Sequence, residues 1–180
     1  RLVALATDVL KLTKLNNMSI LPEIKTFNVS EQIRLVIVLL SNKLEAKNIE
    51  IEFDCDEYTI EGNENFIRQI WVNLIDNAIK FSHNDSIITV ETAEKKNKIF
   101  VSVKDTGIGI PKEDIKQIWD RFYKSDASRG KDKKGTGLGL SITKEIITAH
   151  NENINVISTP GEGTEFIFSL TPSDRDDEED

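Results

Sequence analysis

Two glycine clusters place the tightest constraint on how this chain can fold. They are Asp105-Thr-Gly-Ile-Gly-Ile-Pro111 and Gly135-Thr-Gly-Leu-Gly-Leu140, and a lysine-rich loop lies between them. Glycine allows the backbone to approach a neighbouring group closely. Backbone N–H groups at the start of a helix bind phosphate, and the second cluster leads into a predicted helix over 138–150. The second cluster therefore indicates a phosphate site.

Neither of two widespread phosphate loops accounts for the second cluster. A Walker A loop continues with lysine and a hydroxyl residue, whereas Thr136 and Gly137 follow Gly135 here. The dinucleotide-binding pattern G-x-G-x-x-G follows a strand, whereas this cluster reads G-x-G-x-G after a basic loop. The sequence thus predicts a phosphate site of a third kind.

Composition and charge narrow the class of protein. The chain has 180 residues, of which 38% are hydrophobic and 30% charged, as expected of a single soluble domain with a packed core. Its net charge of −8 argues against a nucleic-acid partner, and the lone Cys55 excludes an internal disulfide.

The longest apolar run, Leu35–Leu40, is far too short to span a bilayer. Because the sequence begins inside a helical pattern without methionine, we expect it to be part of a longer protein.

Apolar periodicity predicts an α+β fold, a two-layer sandwich of helices on a mixed, mostly antiparallel sheet. Leu2, Leu5, Val9 and Leu12 have the spacing of a bundle-helix seam, and an ordinary amphipathic helix is the alternative. Ser30 is the predicted N-cap of the next helix. Further helices are expected at 63–80, 111–119 and 138–150, and strands within 48–61 and at 87–91, 99–103, 155–158 and 164–170. We expect 1–17 to end a bundle helix, 18–29 to be a linker, 30–171 to form the main domain and 172–180 to be a disordered acidic tail.

The predicted helix over 63–80 carries a polar stripe opposite its apolar one. Asn73, Asn77 and Lys80 stack on one face of a helix with 3.6 residues per turn. A solvated face is one interpretation. Asn is, however, unfavourable inside a helix. Amide oxygens beside a lysine also suit a magnesium–phosphate group, because Mg²⁺ takes few protein oxygens and completes its coordination shell with phosphate and water.

The first glycine cluster follows a predicted strand that ends in an acid. An ionised Asp105 at the end of a buried strand needs a hydrogen-bond donor, and the exocyclic amine of adenine is such a donor. A strand-exit turn capped by the aspartate is the alternative. The loop that follows is either a solvated loop or a lid that closes over polyphosphate, anchored by Phe122-Tyr123. Its basic residues are Arg121, Lys124, Arg129, Lys131, Lys133 and Lys134.

The order and spacing of these motifs resemble the catalytic, ATP-binding domain of two-component sensor histidine kinases. That family belongs to the superfamily of gyrase, the mismatch-repair ATPases and a heat-shock chaperone, which implies a Bergerat-type ATP-binding fold. The matching stretches are Asn73-Leu-Ile-Asp-Asn-Ala-Ile-Lys-Phe-Ser82 (similar to the asparagine box), Asp105-Thr-Gly-Ile-Gly109 (first glycine box), Arg121-Phe-Tyr-Lys124 (phenylalanine box), Gly135-Thr-Gly-Leu-Gly-Leu-Ser141 (second glycine box) and Gly161-Glu-Gly-Thr-Glu-Phe166 (last strand turn). Residues 1–15 resemble the closing helix of the dimerisation bundle that precedes such domains.

The resemblance implies ATP and Mg²⁺ as cofactors and gives each motif a role. Asn77 would coordinate Mg²⁺, Asn73 and Lys80 would contact phosphate or metal-bound oxygens, and Asp105 would accept from the adenine amine. Arg121 or Lys124 would stabilise the transferring phosphoryl group, and residues 111–134 would form the lid. The further residues implied around the nucleotide are Gly107, Ile108, Gly109, Tyr123, Gly135, Thr136, Gly137, Leu138, Gly139, Leu140 and Thr164.

One position separates the branches of the superfamily. The ATPases of the superfamily resemble one another in having a glutamate four residues before the metal-binding asparagine, where it acts as a general base. This chain has Asn73 at that position, and an amide cannot act as a general base. This favours phosphoryl transfer to a residue over hydrolysis. An ATPase clamp of the gyrase type, a nucleotide-binding scaffold and a serine kinase of the anti-sigma type are the alternatives.

Neither histidine of the chain has the context of the family's phosphate acceptor. His83 and His150 are followed by asparagine, not by the acid-arginine-proline pattern. We therefore expect the acceptor histidine on an upstream bundle helix and no self-phosphorylation of this chain. The resemblance also implies a response regulator as partner, a homodimeric full-length protein and a cytoplasmic domain of a protein in the cell membrane.

Overall fold

The computed structural model describes residues 2–16, 23–125 and 135–173. The helices are α1 (Leu2–Asn16), α2 (Val29–Leu39), α3 (Ser41–Glu45), α4 (Glu64–Phe81) and α5 (Gly139–Ala149), with a 3₁₀ turn at Gln117–Trp119. The strands are β1 (Ile24–Asn28), β2 (Glu50–Asp54), β3 (Thr59–Asn63), β4 (Ile87–Lys95), β5 (Lys98–Asp105), β6 (Ile154–Thr159) and β7 (Gly163–Leu170). Among these described helices, none is long and apolar enough to cross a membrane.

The strands form one large sheet and one small one. The large sheet has the order β2-β4-β5-β7-β6, in which β2 runs parallel to β4 and the other neighbours are antiparallel. Strands β1 and β3 pair antiparallel in a separate ribbon. The predicted α+β fold with a mixed, mostly antiparallel sheet is thereby confirmed.

The core lies between one face of the large sheet and helices α4 and α5. Side chains at alternate positions of β4, β5 and β7 are buried, because successive residues of a strand point to opposite faces. Trp71 of α4 packs on Phe168 of β7 with ring centroids 4.9 Å apart, and its indole N–H donates to Gln32 Oε1 at 2.8 Å. The buried apolar stripe of α4 therefore fixes which way its polar face points.

Both ends of α4 are capped by side chains. At the N-terminus, Asn63 Oδ1 accepts from the backbone N–H of Phe66 at 3.0 Å. At the C-terminus, Lys47 Nζ donates to the carbonyls of Ile79, Lys80 and Ser82 at 2.6, 2.9 and 3.1 Å. These carbonyls have no partner within the helix, so Lys47 satisfies them and places a positive charge at the negative end of the helix dipole.

The beginning of the chain differs from the sequence-based expectation in two respects. The N-cap of α2 is Asn28, whose side chain accepts from Glu31 N at 2.9 Å, and Ser30 lies inside the first turn, where its hydroxyl donates to the Asp56 carbonyl. Strand β1 was not predicted, and it lies within the segment 18–29 interpreted as a linker.

The four residues of the predicted α1 seam differ in their exposure. Leu12 is 4% exposed and Leu5 packs against the core, whereas Leu2 is 83% exposed and Val9 42%. Leu5 and Leu12 are seven residues apart, so they share one face, and that face contacts α5. The helix therefore buries one half of the predicted seam in the domain itself.

Two further predicted segments are only partly as expected. Residues 112–116 form turns rather than a helix, and only Gln117–Trp119 is helical, as a 3₁₀ turn. Pro172 and Ser173, predicted to start a disordered tail, are bound to β3 through an Ile60–Pro172 bridge and a 2.9 Å bond from Ser173 N to the Thr59 carbonyl. The rest of the predicted tail and Arg129, Lys131, Lys133 and Lys134 lie outside the described residues.

Candidate functional site

A cavity of about 330 Å³ opens between the polar face of α4, the end of β5 and the second glycine cluster. It brings together most of the residues that the sequence singled out. The predicted residues that line it are Asn73, Asn77, Lys80, Asp105, Ile108, Gly109, Tyr123, Lys124, Gly135, Thr136, Gly137, Gly139, Leu140 and Thr164. Gly107, Leu138 and Arg121, which were also predicted, do not line it.

Seven lining residues were not named individually from the sequence, although Ile118 and Ser125 lie within the predicted lid 111–134: Asp8, Asp76, Phe81, Ile110, Ile118, Ser125 and Phe166. Asp76 and Phe81 lie within the same helical stretch as the predicted residues, so helical periodicity could have found them. Asp8 belongs to α1, more than sixty positions away along the chain from any predicted site residue, and no sequence signal connects it to the cavity.

The two asparagines of α4 differ in what they contact. Asn73 Nδ2 donates to the Gly139 carbonyl at 2.9 Å and to Thr143 Oγ1 at 3.1 Å, and its Oδ1 accepts from Gln69 Nε2 at 2.9 Å. Asn73 thus joins α4 to the first turn of α5. Within the described part of the chain, the carboxamide of Asn77 has no hydrogen bond to protein. Its oxygen and its amino group are both available to a ligand in the cavity.

Asp76 forms ion pairs with two lysines beside the cavity. Its Oδ2 lies 3.0 Å from Lys80 Nζ, and its Oδ1 lies 2.5 Å from Lys43 Nζ. Burial acts to raise the pKa of Asp76, but the bond from Lys43 and the charge of Lys80 outweigh it and lower the pKa. Two lysines around one carboxylate leave one net positive charge beside the cavity, and Lys80 is oriented by its neighbour one turn earlier.

Asp105 lies at the opposite end of the cavity. Its side chain is almost fully buried, at 6% exposure, and Oδ1 accepts from the backbone N–H groups of Gly107 and Thr164 at 2.8 and 3.3 Å. Burial raises the pKa of Asp105, while the two backbone donors act against that rise. Oδ1 is thus committed to the protein, and Oδ2 is the oxygen that can accept from a ligand.

The first glycine cluster is enclosed by backbone from two other segments. Ile108 N donates to the Phe81 carbonyl at 3.2 Å, and Gly161 N donates to the Ile108 carbonyl at 2.8 Å. Gly109 has φ +68°, and a Cβ there would collide with the backbone of Thr159. Only glycine combines this conformation with such a close approach. The cluster therefore forms a rigid wall of backbone beside Asp105.

The second glycine cluster leads into α5 and leaves its N-terminus open. Gly137 has φ +74° and its carbonyl accepts from Phe122 N at 2.9 Å. The N-cap residue of α5, Leu138, provides no side-chain hydrogen bond. The first N–H groups of a helix have no partner within it, so the start of α5 presents donors and the positive end of a helix dipole.

The residues of the predicted phenylalanine box point in different directions. Arg121 Nη2 lies 3.4 Å from Glu145 Oε1 of α5, outside the cavity. Tyr123 and Lys124 line the cavity, and the Tyr123 hydroxyl donates to Asp114 Oδ1 at 2.6 Å. The stretch therefore contributes Lys124, rather than Arg121, as its basic residue at the cavity.

The histidines lie away from the cavity. His150 Nε2 accepts from Asn63 N at 3.1 Å, and Nδ1 donates to the Ile146 carbonyl at 2.8 Å. Burial lowers the pKa of His150, so it is a neutral structural link between α5 and the start of α4. His83 is exposed. Among the described residues, no group of three or more His, Cys, Asp or Glu side chains is arranged to hold a metal ion.

The chain resembles known proteins in sequence. The sequence model of the family described as histidine kinase-, DNA gyrase B-, and HSP90-like ATPase matches residues 62–174. Sensor histidine kinase WalK of Bacillus subtilis (strain 168) is 33% identical over 181 residues, covering 94% of this chain and 28% of the relative. Sensor protein kinase WalK of Staphylococcus aureus is 35% identical over 176 residues, covering 94% of this chain and 41% of the relative. The chain thus spans less than half the length of these curated relatives.

Solved structures show the same fold. The catalytic domain of histidine kinase ThkA is 32% identical with a TM-score of 0.73, covering 83% of this chain and 95% of that one. Full-length ShkA in complex with AMPPNP has a TM-score of 0.83 at 27% identity, covering 96% of this chain and 36% of that one. ThkA in complex with the response regulator TrrA has a TM-score of 0.75 at 30% identity, covering 95% of this chain and 48% of that one. The chain therefore belongs to the histidine kinase-, DNA gyrase B- and HSP90-like ATPase family, and within it to the catalytic domains of histidine kinases.

Proposed function

We propose that this domain binds ATP in the cavity and donates the γ-phosphoryl group to a histidine on a bundle helix outside this chain. The observation that carries the proposal is the arrangement of one cavity with an acceptor at one end and phosphate-binding groups at the other. The acceptor is Asp105 Oδ2, and the phosphate-binding groups are the open N-terminus of α5, Lys80 and Lys124.

At the Asp105 end, the cavity suits the adenine ring. Asp105 is held rigidly by Gly107 and Thr164, so its second oxygen is oriented before the ligand arrives. Ile108 and Phe166 provide apolar surface for the ring. A buried carboxylate that accepts from the 6-amino group discriminates against 6-oxo purines, because these present an acceptor at that position.

At the other end, the cavity suits a magnesium–triphosphate group. N–H groups at the start of α5 and the ammonium of Lys80 would bind phosphate oxygens. Asn77 has an uncommitted amide oxygen that fits Mg²⁺, a cation that takes few ligands from protein. When bound, Mg²⁺ would neutralise charge on the β- and γ-phosphates. Lys124 lines the cavity and Arg121 does not, so we assign charge stabilisation during transfer to Lys124.

Asn73 supports phosphoryl transfer over hydrolysis. An amide cannot take a proton from water at neutral pH, and both hydrogens of its amino group are directed at Gly139 and Thr143. We assign Asn73 a positioning role, because it holds the first turn of α5 against α4. The attacking group would be an imidazole nitrogen, which bonds to the γ-phosphorus as the bond to the β,γ-bridging oxygen breaks and ADP leaves.

The similar proteins suggest the wider setting. We propose that the full-length protein is a homodimeric membrane sensor, with this domain in the cytoplasm and a dimerisation bundle carrying the acceptor histidine ahead of α1. A response regulator would receive the phosphoryl group from that histidine, in keeping with the solved complex of ThkA and TrrA.

The test compares transfer with hydrolysis in the same protein. A bundle segment with an acceptor histidine is fused ahead of α1, and γ-labelled ATP with Mg²⁺ is added; the same fusion with the acceptor replaced by glutamine is the control. We expect label on the first fusion alone, with little release of inorganic phosphate. ATP binding without labelling would support a nucleotide-binding scaffold, and rapid release of phosphate from both fusions would support an ATPase clamp.

A further inference from the structure

Helix α1 is docked on the domain through one face, and that face carries an acid at the cavity. Leu5, Asp8 and Leu12 follow at intervals of three and four residues, so they lie on one side of α1. Leu5 and Leu12 pack against the core, and the helix contacts α5. Asp8, between them, lines the cavity. The packing of the two leucines therefore determines where the Asp8 carboxylate lies.

Asp8 binds the second glycine cluster directly. Thr136 Oγ1 donates to Asp8 Oδ2 at 3.0 Å and accepts from Leu138 N at 3.3 Å. The hydroxyl of the predicted phosphate loop thus donates to a carboxylate, and its oxygen is the acceptor for a backbone N–H immediately before α5. A phosphate group at this position would need the same donors.

In the part of the chain that the structure describes, Asp8 and Asp76 differ in the charge of their partners. Asp76 lies between Lys43 and Lys80. Among the basic side chains that the structure describes, which do not include those of Lys11 and Lys14, none forms an ion pair with Asp8, and its partner is the neutral Thr136 hydroxyl. A negative charge in a partly enclosed cavity repels a polyphosphate more strongly than it would in bulk water.

We propose that Asp8 is an additional residue of the nucleotide site, which opposes binding of the triphosphate as long as α1 is docked on α5. This inference rests on the proposed function. Asp8 occupies the hydroxyl donor of Thr136 in the glycine cluster and adds a like charge, so nucleotide binding and docking of α1 compete. By linkage, a phosphate-bearing ligand would in turn weaken the docking of α1.

The inference is tested by titrating AMPPNP and adenosine into wild type and Asp8→Asn by calorimetry. Asparagine keeps an oxygen that accepts from Thr136 but removes the charge. We expect AMPPNP to bind the variant about tenfold more tightly, equivalent to about 1.4 kcal/mol, and adenosine to bind both proteins equally. The difference should shrink at high salt, because added ions screen the repulsion.

Two further variants sharpen the test. Glu45→Gln removes one negative charge from the exposed surface of α3 and should leave AMPPNP binding unchanged. Leu12→Ala weakens the docking of α1 without altering a residue of the cavity, and it should also increase affinity for AMPPNP. This variant provides a second measurement of the same competition that does not depend on the folding of Asp8→Asn.

Each outcome decides the question. Equal AMPPNP affinity in wild type, Asp8→Asn and Leu12→Ala would overturn the inference and leave the proposed function intact. Weaker Mg²⁺-dependent binding by Asp8→Asn would mean that Asp8 helps to hold the metal, which also overturns it. Failure of folded wild type to bind AMPPNP or adenosine at millimolar concentration would overturn the proposed function and this inference together.

Discussion

Replacing Asp105 with asparagine should alter ligand recognition while keeping the hydrogen bonds that hold the turn, because the change affects only the oxygen that faces the ligand. The asparagine side chain of this variant would keep an oxygen that accepts from Gly107 N and Thr164 N, as Asp105 Oδ1 does at 2.8 and 3.3 Å. At the position of Oδ2, however, an amino group would replace the carboxylate oxygen. The acceptor for the adenine amine becomes a donor, while the contacts that hold the turn remain.

The size of the effect follows from the type of bond that is lost. A hydrogen bond to a charged group contributes about 1.5–3 kcal/mol, which corresponds to a weakening of AMPPNP binding by roughly 10- to 150-fold. An amino group at this position also favours a 6-oxo purine, so affinity for the hypoxanthine analogue should fall far less than affinity for the adenine nucleotide. We expect inorganic pyrophosphate, which has no ring, to bind equally to both proteins.

Folding stability should change in the opposite direction. Because burial raises the pKa of Asp105 in the folded state, its favourable contribution is present below the unfolded value of about 3.9 and is lost as pH rises through the folded value. The ionised carboxylate therefore destabilises the folded protein at pH 7, and asparagine removes that cost. We expect an equal or higher denaturation midpoint at pH 7 and no such gain near pH 3.

Calorimetric titration with each ligand and urea unfolding at the two pH values measure both effects. Asp54→Asn, on the exposed end of β2, makes the same chemical change away from the cavity and serves as the control. If Asp105→Asn folds normally and binds AMPPNP within threefold of wild type, then Asp105 is not the adenine acceptor and the orientation of the ligand in the cavity must be revised.

Two further predictions concern stability. Lys47→Met keeps the aliphatic stem but leaves three carbonyls at the end of α4 without their donor, so the free energy of unfolding by urea should fall by about 1–3 kcal/mol. His150 has a folded pKa below its ordinary value because of burial, so it contributes stability that is present above the unfolded value of about 6.5 and is lost as pH falls below it. The contribution of His150 should therefore be lost between pH 7 and pH 5, and the stability difference between wild type and His150→Gln in urea unfolding separates it from the opposite contribution of Asp105.

Matched variants distinguish these effects from general ones. Lys25→Met, on the exposed face of β1, should be close to neutral, and equal losses in both lysine variants would contradict the capping role of Lys47. His83→Gln, at an exposed position, should keep the pH profile of wild type. Because the pKa values of Asp76 and Glu152 are lowered, these acids change stability at more acidic pH, outside the range used for His150.

Local patterns in the sequence were sufficient for the parts of the site that lie on one element. The face of α4 with Asn73, Asn77 and Lys80 was predicted because helical periodicity relates residues a few positions apart. The placement of Asp105 at the end of a strand and the start of a helix within Gly135–Leu140 rest on equally local signals. These predictions needed no information on how distant segments pack.

Local sequence patterns did not predict which distant segments of the chain contact each other. Asp8 and Thr136 are separated by 128 positions, and Asn73 and Gly139 by 66, and nothing in either local sequence indicates the pairing. Ser30 was predicted as a cap from residue type alone, whereas tertiary structure favours Asn28, since Ser30 is buried with its hydroxyl directed at Asp56. Strand β1 was missed because it is a strand through its pairing with β3, which its own residues do not indicate.

The wall beside Asp105 has a consequence for how inhibitors of such a site would lose potency. It is built from backbone atoms of three chain segments, joined by the bonds Ile108 N to Phe81 O and Gly161 N to Ile108 O. A substitution changes a side chain but leaves the course of the backbone nearly intact, and a side chain at Gly109 would break the wall instead of reshaping it. A compound that fits this wall and Asp105 would therefore meet a surface with few routes to resistance, because the changes that expel the compound also damage the pocket for the nucleotide.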